Sequence, residues 1–126
     1  MTQAILNALG FPDAELSILI VDDREIEKLN KKYLHREGPT NVIAFPMQEG
    51  DFKHISPQLL GDVVVSMDTA QKEAKTGGIH VDERMLELLV HGILHLAGYD
   101  HELSEPEALR MEVKSSELLA MVKNLA

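Results

Sequence analysis

The chain has 126 residues, which suits one domain and is enough to bury roughly two-thirds of the surface of the unfolded chain. It contains no cysteine, which excludes disulfides and thiolate zinc sites, so any metal must be bound by His, Asp or Glu. The formal net charge of −9 argues against a general nucleic-acid coat, and because neither a signal peptide nor an apolar run of ~20 residues is found, we expect a cytoplasmic protein without a membrane span.

The first half of the chain is predicted to contain two helices and two strands. Residues 2–9 form a short helix that ends at Gly10 and Pro12. The apolar run from Glu15 to Val21 predicts a mostly buried strand. Asp22 and Asp23 offer N-caps for a helix to about Leu34, and Asn41 to Phe45 is a second strand that stops at Pro46.

The second half is predicted to add a long loop, one strand and three helices. The loop runs from Gln48 to Leu60 and the strand from Gly61 to Ser66. One helix is capped by Asp68 and runs to about Lys75, and the next is capped by Asp82 and runs through Ala97. Ser104 and Glu107 form a capping box for a last helix over 105–124. Strands and helices mix without strict alternation, so we expect a single α+β domain over 1–126, with a small sheet packed on helices.

Three histidines close to one another in sequence predict a metal site. His91 and His95 are four residues apart, which places both imidazoles on one face of a helix. Gly98 can end that helix in the left-handed conformation, and the chain can then return His101 to the same point. Three protein ligands plus water is the open arrangement of catalytic zinc. We therefore expect one Zn²⁺ per chain on His91, His95 and His101.

The segment from His91 to His101 resembles the signature of the YbeY family of metal-dependent endoribonucleases. Further matching elements are Glu15-Leu16-Ser17-Ile18, Leu29-Asn30, Pro39-Thr40-Asn41-Val42 before Phe45-Pro46, and Leu60-Gly61-Asp62-Val63. The resemblance implies a zincin-like fold, with zinc on the three histidines. It also implies cleavage of single-stranded RNA in maturation of the 16S rRNA 3′ end, a role in late ribosome quality control, and partners among the small ribosomal subunit, ribosomal proteins or an assembly GTPase.

The sequence departs from the family pattern at three places. The family has about one more strand before the first helix. A family arginine that matters for activity is replaced by Leu34, and Arg36, two residues on, is our substitute for it. Ala44 stands where serine is common.

The histidine spacing also equals that of metzincin proteases, but Gly92 holds the place of their general-base glutamate. Peptide hydrolysis by the protease mechanism would lack its base. Gly92 is explained either by close approach of a neighbouring backbone or by room for a bulky substrate. Two alternatives to a nuclease stay open: a zincin-type metalloprotease, and a non-catalytic ribosome-assembly factor whose zinc is structural.

Several other residues are candidates for the chemistry on RNA. Asp62, Asp100 and Glu102 could carry a proton, although Asp100 could equally orient a ligand imidazole or form a turn. Thr40 and Asn41 could donate hydrogen bonds to phosphate, or form a turn into the strand. A basic segment could bind RNA phosphates or be a solvated helix face; its members are Arg24, Lys28, Lys31, Lys32 and Arg36.

Overall fold

The computed structural model describes residues 2–46, 59–99 and 104–125, which form five helices and three strands. The helices are α1 (Thr2–Ala8), α2 (Asp23–Leu34), α3 (Met67–Gly77), α4 (Val81–Leu96) and α5 (Glu105–Leu125). The strands are β1 (Glu15–Val21), β2 (Val42–Pro46) and β3 (Leu59–Ser66). The predicted α+β class is confirmed. Most of the predicted loop between β2 and β3 lies outside the described residues, but Leu59 and Leu60 already belong to β3.

The three strands form one mixed sheet in the order β1-β3-β2. β1 is parallel to β3, whereas β2 is antiparallel to β3. The prediction that β1 is mostly buried is wrong, because Ile18, Leu19 and Ile20 are 36%, 46% and 55% exposed. β1 is apolar in sequence but stands at an edge of the sheet, where only β3 pairs with it among the described residues.

The sheet separates a large core from a small one. On one face, Val63 and Val65 of β3 pack with α4, α5 and α1 in the large core. On the other face, Val64 of β3 and Ile43 of β2 pack against Ile26 of α2. This alternation along β3 follows from the two-residue period of a strand. It places α4 and α2 on opposite sides of the sheet.

Helix α4 is the central element of the large core. Its buried residues occur all round the helix: Met85, Leu88, Val90, Gly92, Ile93, Leu94 and Leu96. α4 contacts both β2 and β3, as well as α3 and α5. Met85 and Met111 are buried in the same core. None of the helices within the described ranges is long and apolar enough to cross a membrane.

The observed helix caps agree in part with the predicted ones. The Asp22 side chain accepts from the backbone N–H of Glu25 at 2.8 Å, and Ser104 accepts from Glu107 at 3.3 Å, both as predicted. α3 is capped by Ser66 instead of Asp68, and α4 by His80 instead of Asp82. Both helices therefore begin two residues earlier than predicted. Asp68 has a different role, because its carboxylate accepts from the backbone N–H of Asp23 at 3.0 Å.

Candidate active site

His91 and His95 lie one turn apart in the last part of α4, and both are half-buried. Their Nε2 atoms are 3.2 Å apart, and the ring centroids are 4.7 Å apart with the planes at 77°. Two imidazole nitrogens bound to one tetrahedral Zn²⁺ at 2.0–2.1 Å stand about 3.3 Å apart. The pair thus presents two nitrogens at the separation that zinc requires.

The end of α4 has the geometry that the sequence predicts. Gly98 has φ +100°, and the backbone N–H of Tyr99 donates to the carbonyl of Leu94 at 3.0 Å. Beyond the helix end, the Tyr99 ring lies 4.5 Å from the guanidinium of Arg110 in α5. This contact packs the residue after the helix end against α5.

The predicted third ligand, His101, lies outside the described residues, as do Asp100 and Glu102. Within 2–46, 59–99 and 104–125, no group of three His, Cys, Asp or Glu side chains could hold a metal ion. The described part of the chain therefore supplies two of the three predicted ligands. The zinc site stays a prediction.

The histidine pair faces an open cleft of about 590 Å³. The outer side of β2 forms one wall, through Val42, Ala44 and Pro46. His91, Gly92 and His95 of α4 line the same cleft, together with Gly98 and Tyr99. The connection between α2 and β2 closes one end.

Of the predicted RNA-binding and catalytic residues, the structure brings Arg36, Thr40 and Asn41 to this cleft. Leu34, which replaces the family arginine, lines the same cleft, and the substitute role of Arg36 stays a prediction. Lys28 and Lys32 do not line the cleft. They lie exposed on α2, where Lys28 is 4.0 Å from Glu25 and Lys32 stands over the Tyr33 ring at 5.2 Å.

Asp62 is not brought to the histidine pair. It pairs with Phe45 in the sheet and alternates with Val63, which faces α4. Its side chain therefore belongs to the face of the sheet that carries Val64 and α2. The sheet stands between Asp62 and the cleft.

The side chain of Asn41 is hydrogen-bonded to a polar network that the sequence does not reveal. Its Nδ2 donates to both carboxylate oxygens of Glu73 at 3.3 Å. Arg84 binds Glu73 at 3.1 Å and Glu87 at 2.9 Å. Burial lowers the pKa of Arg84, but the hydrogen bonds to Glu87 and Glu73 outweigh it and raise the pKa above its ordinary value. The i, i+3 spacing of Arg84 and Glu87 indicates their pair, whereas nothing in the sequence indicates the link to Glu73 and Asn41.

Gly92 lies where α4 packs closely against the sheet. A Cβ atom at this position would stand 2.6 Å from Cγ1 of Val63 and 3.3 Å from Cγ2 of Val42. The predicted approach of a neighbouring backbone is wrong, because the atoms that leave no room for a Cβ are valine side-chain atoms, but close packing is the reason for the glycine. A glutamate side chain starting at this Cβ would meet the valines of the sheet, so the slot of the protease general base is filled by packing.

Comparisons with known proteins agree with this geometry. A sequence profile for the family described as Endoribonuclease YbeY matches residues 1–123. The protein of Geobacter metallireducens named Endoribonuclease YbeY is 51% identical over 124 residues, which cover 98% of this chain and 83% of that one. The protein of the same name from Geobacter sulfurreducens is 50% identical over 125 residues, which again cover 98% of this chain and 83% of that one. The solution structure of TM1509 from Thermotoga maritima superposes with a TM-score of 0.66 at 28% identity, covering 94% of this chain and 73% of that one. The chain belongs to the YbeY endoribonuclease family.

Proposed function

We propose that this protein is a zinc-dependent endoribonuclease that cleaves single-stranded RNA, with zinc on His91, His95 and His101. The observation that carries the proposal is the pair of Nε2 atoms 3.2 Å apart at the wall of an open cleft. Sequence similarity to proteins that are named endoribonucleases supports RNA as the substrate. Bound zinc would polarise a phosphoryl oxygen, supply hydroxide, or do both.

The residues around the histidine pair suit a phosphodiester. Arg36 is the charged side chain at the end of the cleft, where it would stabilise negative charge on phosphate. The hydroxyl of Thr40 would donate a hydrogen bond to a phosphate oxygen. Asn41 has its Nδ2 engaged by Glu73, so its Oδ1 is the atom left to accept a hydrogen bond, for example from a ribose 2′-OH.

The resemblance extends the proposal to a cellular role. We place the enzyme in the cytoplasm, acting on the 3′ end of 16S rRNA in the small ribosomal subunit and in late ribosome quality control. Ribosomal proteins or an assembly GTPase are the partners that we propose for it. A zincin-like arrangement of α4 and the sheet belongs to the same proposal.

Cleavage of a single-stranded rRNA fragment before and after metal removal tests the activity. We expect the purified protein to cleave, to lose activity on chelation and to regain it when Zn²⁺ is added back. The His91→Ala/His95→Ala variant should stay inactive under all three conditions. His80→Asn is the matched control, because it removes an exposed histidine outside the cleft and keeps a side chain that can cap α4.

The two alternatives predict different outcomes of the same experiment. A zinc-loaded, folded protein that binds ribosomal particles without cleaving RNA would support the non-catalytic assembly factor. Cleavage of a peptide substrate in place of RNA would support the metalloprotease. Either result would overturn the proposed nuclease.

A further inference from the structure

Strand β2 is an edge strand whose free side forms a wall of the cleft. In the described part of the sheet it pairs only with β3, in the order β1-β3-β2. The backbone N–H of Ser66 donates to the carbonyl of Asn41 at 2.9 Å, which makes these two residues a hydrogen-bonded pair. In an antiparallel ladder such pairs alternate with pairs that are not hydrogen-bonded.

The register then decides which backbone groups of β2 point outward. Ile43 faces Val64 and Phe45 faces Asp62, so Ile43 and Phe45 are hydrogen-bonded to β3. Val42 and Ala44 fall between them, and their N–H and C=O groups point away from β3. Both residues line the same cleft as His91 and His95. Pro46, the next outward position, has no N–H, so the row of donors consists of Val42 and Ala44.

The charges around this edge favour an anion. The chain carries 21 Asp and Glu residues against 12 Lys and Arg, yet no Asp or Glu is found among the described residues that line the cleft. Arg36 is the lining residue with a full positive charge. An extended peptide could also pair with an edge strand. A polyanion uses the same N–H donors and also gains from Arg36 and from the lack of carboxylates among the described lining residues.

We infer that the free edge of β2 binds the phosphate backbone of single-stranded RNA through the backbone N–H groups of Val42 and Ala44. The two amides are about 6.8 Å apart along the strand, a spacing that suits successive phosphates of an extended nucleic acid chain. Such contacts hold the strand in register without reading its sequence. They would set one phosphodiester across the cleft from His91 and His95. The inference rests on the proposed function, since it names how the substrate of that site is held.

Removal of the outward N–H of Ala44 tests the inference. Ala44→Pro deletes this donor and leaves the hydrogen bonds of Ile43 and Phe45 to β3, which is the situation in which edge strands tolerate proline. Ala44→lactic acid, an amide-to-ester replacement, deletes the same N–H without adding atoms. The probe is a short single-stranded oligoribonucleotide of mixed sequence. Its binding to the full zinc-loaded chain is measured from the initial fluorescence anisotropy. Thermal unfolding of each variant shows whether the sheet is intact.

We expect both variants to bind this RNA at least about tenfold more weakly, the loss typical of one hydrogen bond to a charged acceptor. The slope of log Kd against log salt should stay unchanged, because a neutral donor releases no counterion. Arg36→Gln should weaken binding and also flatten the slope. This contrast separates a backbone contact from a general loss of electrostatic attraction.

Two results would overturn the inference. One is unchanged RNA affinity in both folded variants while the wild-type protein still cleaves RNA, which would leave the proposed function standing. The other is an extended peptide whose binding needs the Ala44 N–H while RNA binding does not. If the wild-type protein neither binds nor cleaves RNA, the proposed function fails, and the inference fails with it.

Discussion

At the scale of single residues, close packing explains why position 92, beside the cleft, is a glycine. Glycine inside a helix costs about 1 kcal/mol relative to alanine, so a packing reason is needed to keep it there. The reason is the 2.6 Å distance that a Cβ atom would have to Cγ1 of Val63. Val63 is fully buried and β-branched, so it has little freedom to move aside.

We therefore expect Gly92→Ala to lower the free energy of unfolding by about 1–3 kcal/mol, the usual cost of overpacking, in spite of its better helix propensity. Gly77→Ala is the matched control, because a Cβ atom at the end of α3 would meet nothing within 4 Å. Urea unfolding of both variants measures the difference. A Gly92→Ala variant as stable as the Gly77→Ala one would contradict the close approach of α4 to the sheet.

Asp23 makes part of the stability of the fold dependent on pH. Its carboxylate accepts hydrogen bonds from Ser66 at 2.6 Å, from Thr69, and from Lys72 at 3.1 Å. The Ser66 hydroxyl first, and then that of Thr69, lower the pKa of Asp23 from 3.8 to about 2, while burial opposes them. Since the folded pKa lies below the unfolded one, the charged form stabilises the fold above about pH 4, and this contribution is lost as pH falls through about 2.

Asp23→Asn should accordingly lower Tm at neutral pH, and its difference from wild type should narrow as pH falls from about 4 to about 2. Circular dichroism melts across this range provide the measurement. Asp13→Asn, a change in an exposed turn, controls for loss of charge. A difference that stays constant down to about pH 2 would show that Asp23 is not held in its charged form by these hydroxyls.

At the scale of elements, local signals in the sequence predict much of the fold, and contacts between distant segments account for what they miss. The N-cap Asp22 of α2 and the helix-ending Gly98 of α4 are local signals, and both predict the structure correctly. β1 is equally apolar, but its exposure depends on its place at the edge of the sheet, which its own residues do not encode. The same holds for the site. The spacing of His91 and His95 predicts their meeting, whereas only the fold shows that Asp62 faces away from them.

The network of Glu73, Arg84 and Glu87 joins α3 to α4 and both to Asn41 before β2. Glu73→Ala removes the partner of Asn41 and one partner of Arg84, and we expect it to lower the free energy of unfolding by about 1 kcal/mol, since the pair is partly screened by solvent.

Lys28→Ala is the control for this element, because it breaks a wider, exposed ion pair with Glu25 and should change the stability by less than about 0.5 kcal/mol. Chemical unfolding gives both values. Equal small effects would mean that the network does not hold α3 to α4.

At the scale of the whole molecule, the protein is acidic, yet no Asp or Glu among the described residues lines the cleft. The basic face of α2 lies outside this cleft, with Lys28 and Lys32 exposed to solvent. If RNA that leaves the cleft past Arg36 follows α2, these lysines contact its phosphates.

A Lys28→Gln/Lys32→Gln variant should then bind single-stranded RNA more weakly, with a salt slope reduced by about 1 to 2. The matched control, Lys75→Gln/Lys114→Gln, removes two lysines from α3 and α5 and should leave the slope unchanged. Titrations at several salt concentrations decide the matter. Identical slopes in the two double variants would assign Lys28 and Lys32 to a solvated helix face.

The central claim is that three histidines hold one zinc ion with which this chain cleaves RNA. Zinc content by elemental analysis, measured on the same samples as RNA cleavage, tests it most directly. We expect about one zinc per chain in the active wild-type protein, and neither zinc nor cleavage in folded His91→Ala/His95→Ala/His101→Ala. Stoichiometric zinc in that triple variant, or full cleavage by zinc-free wild-type protein, would contradict the claim.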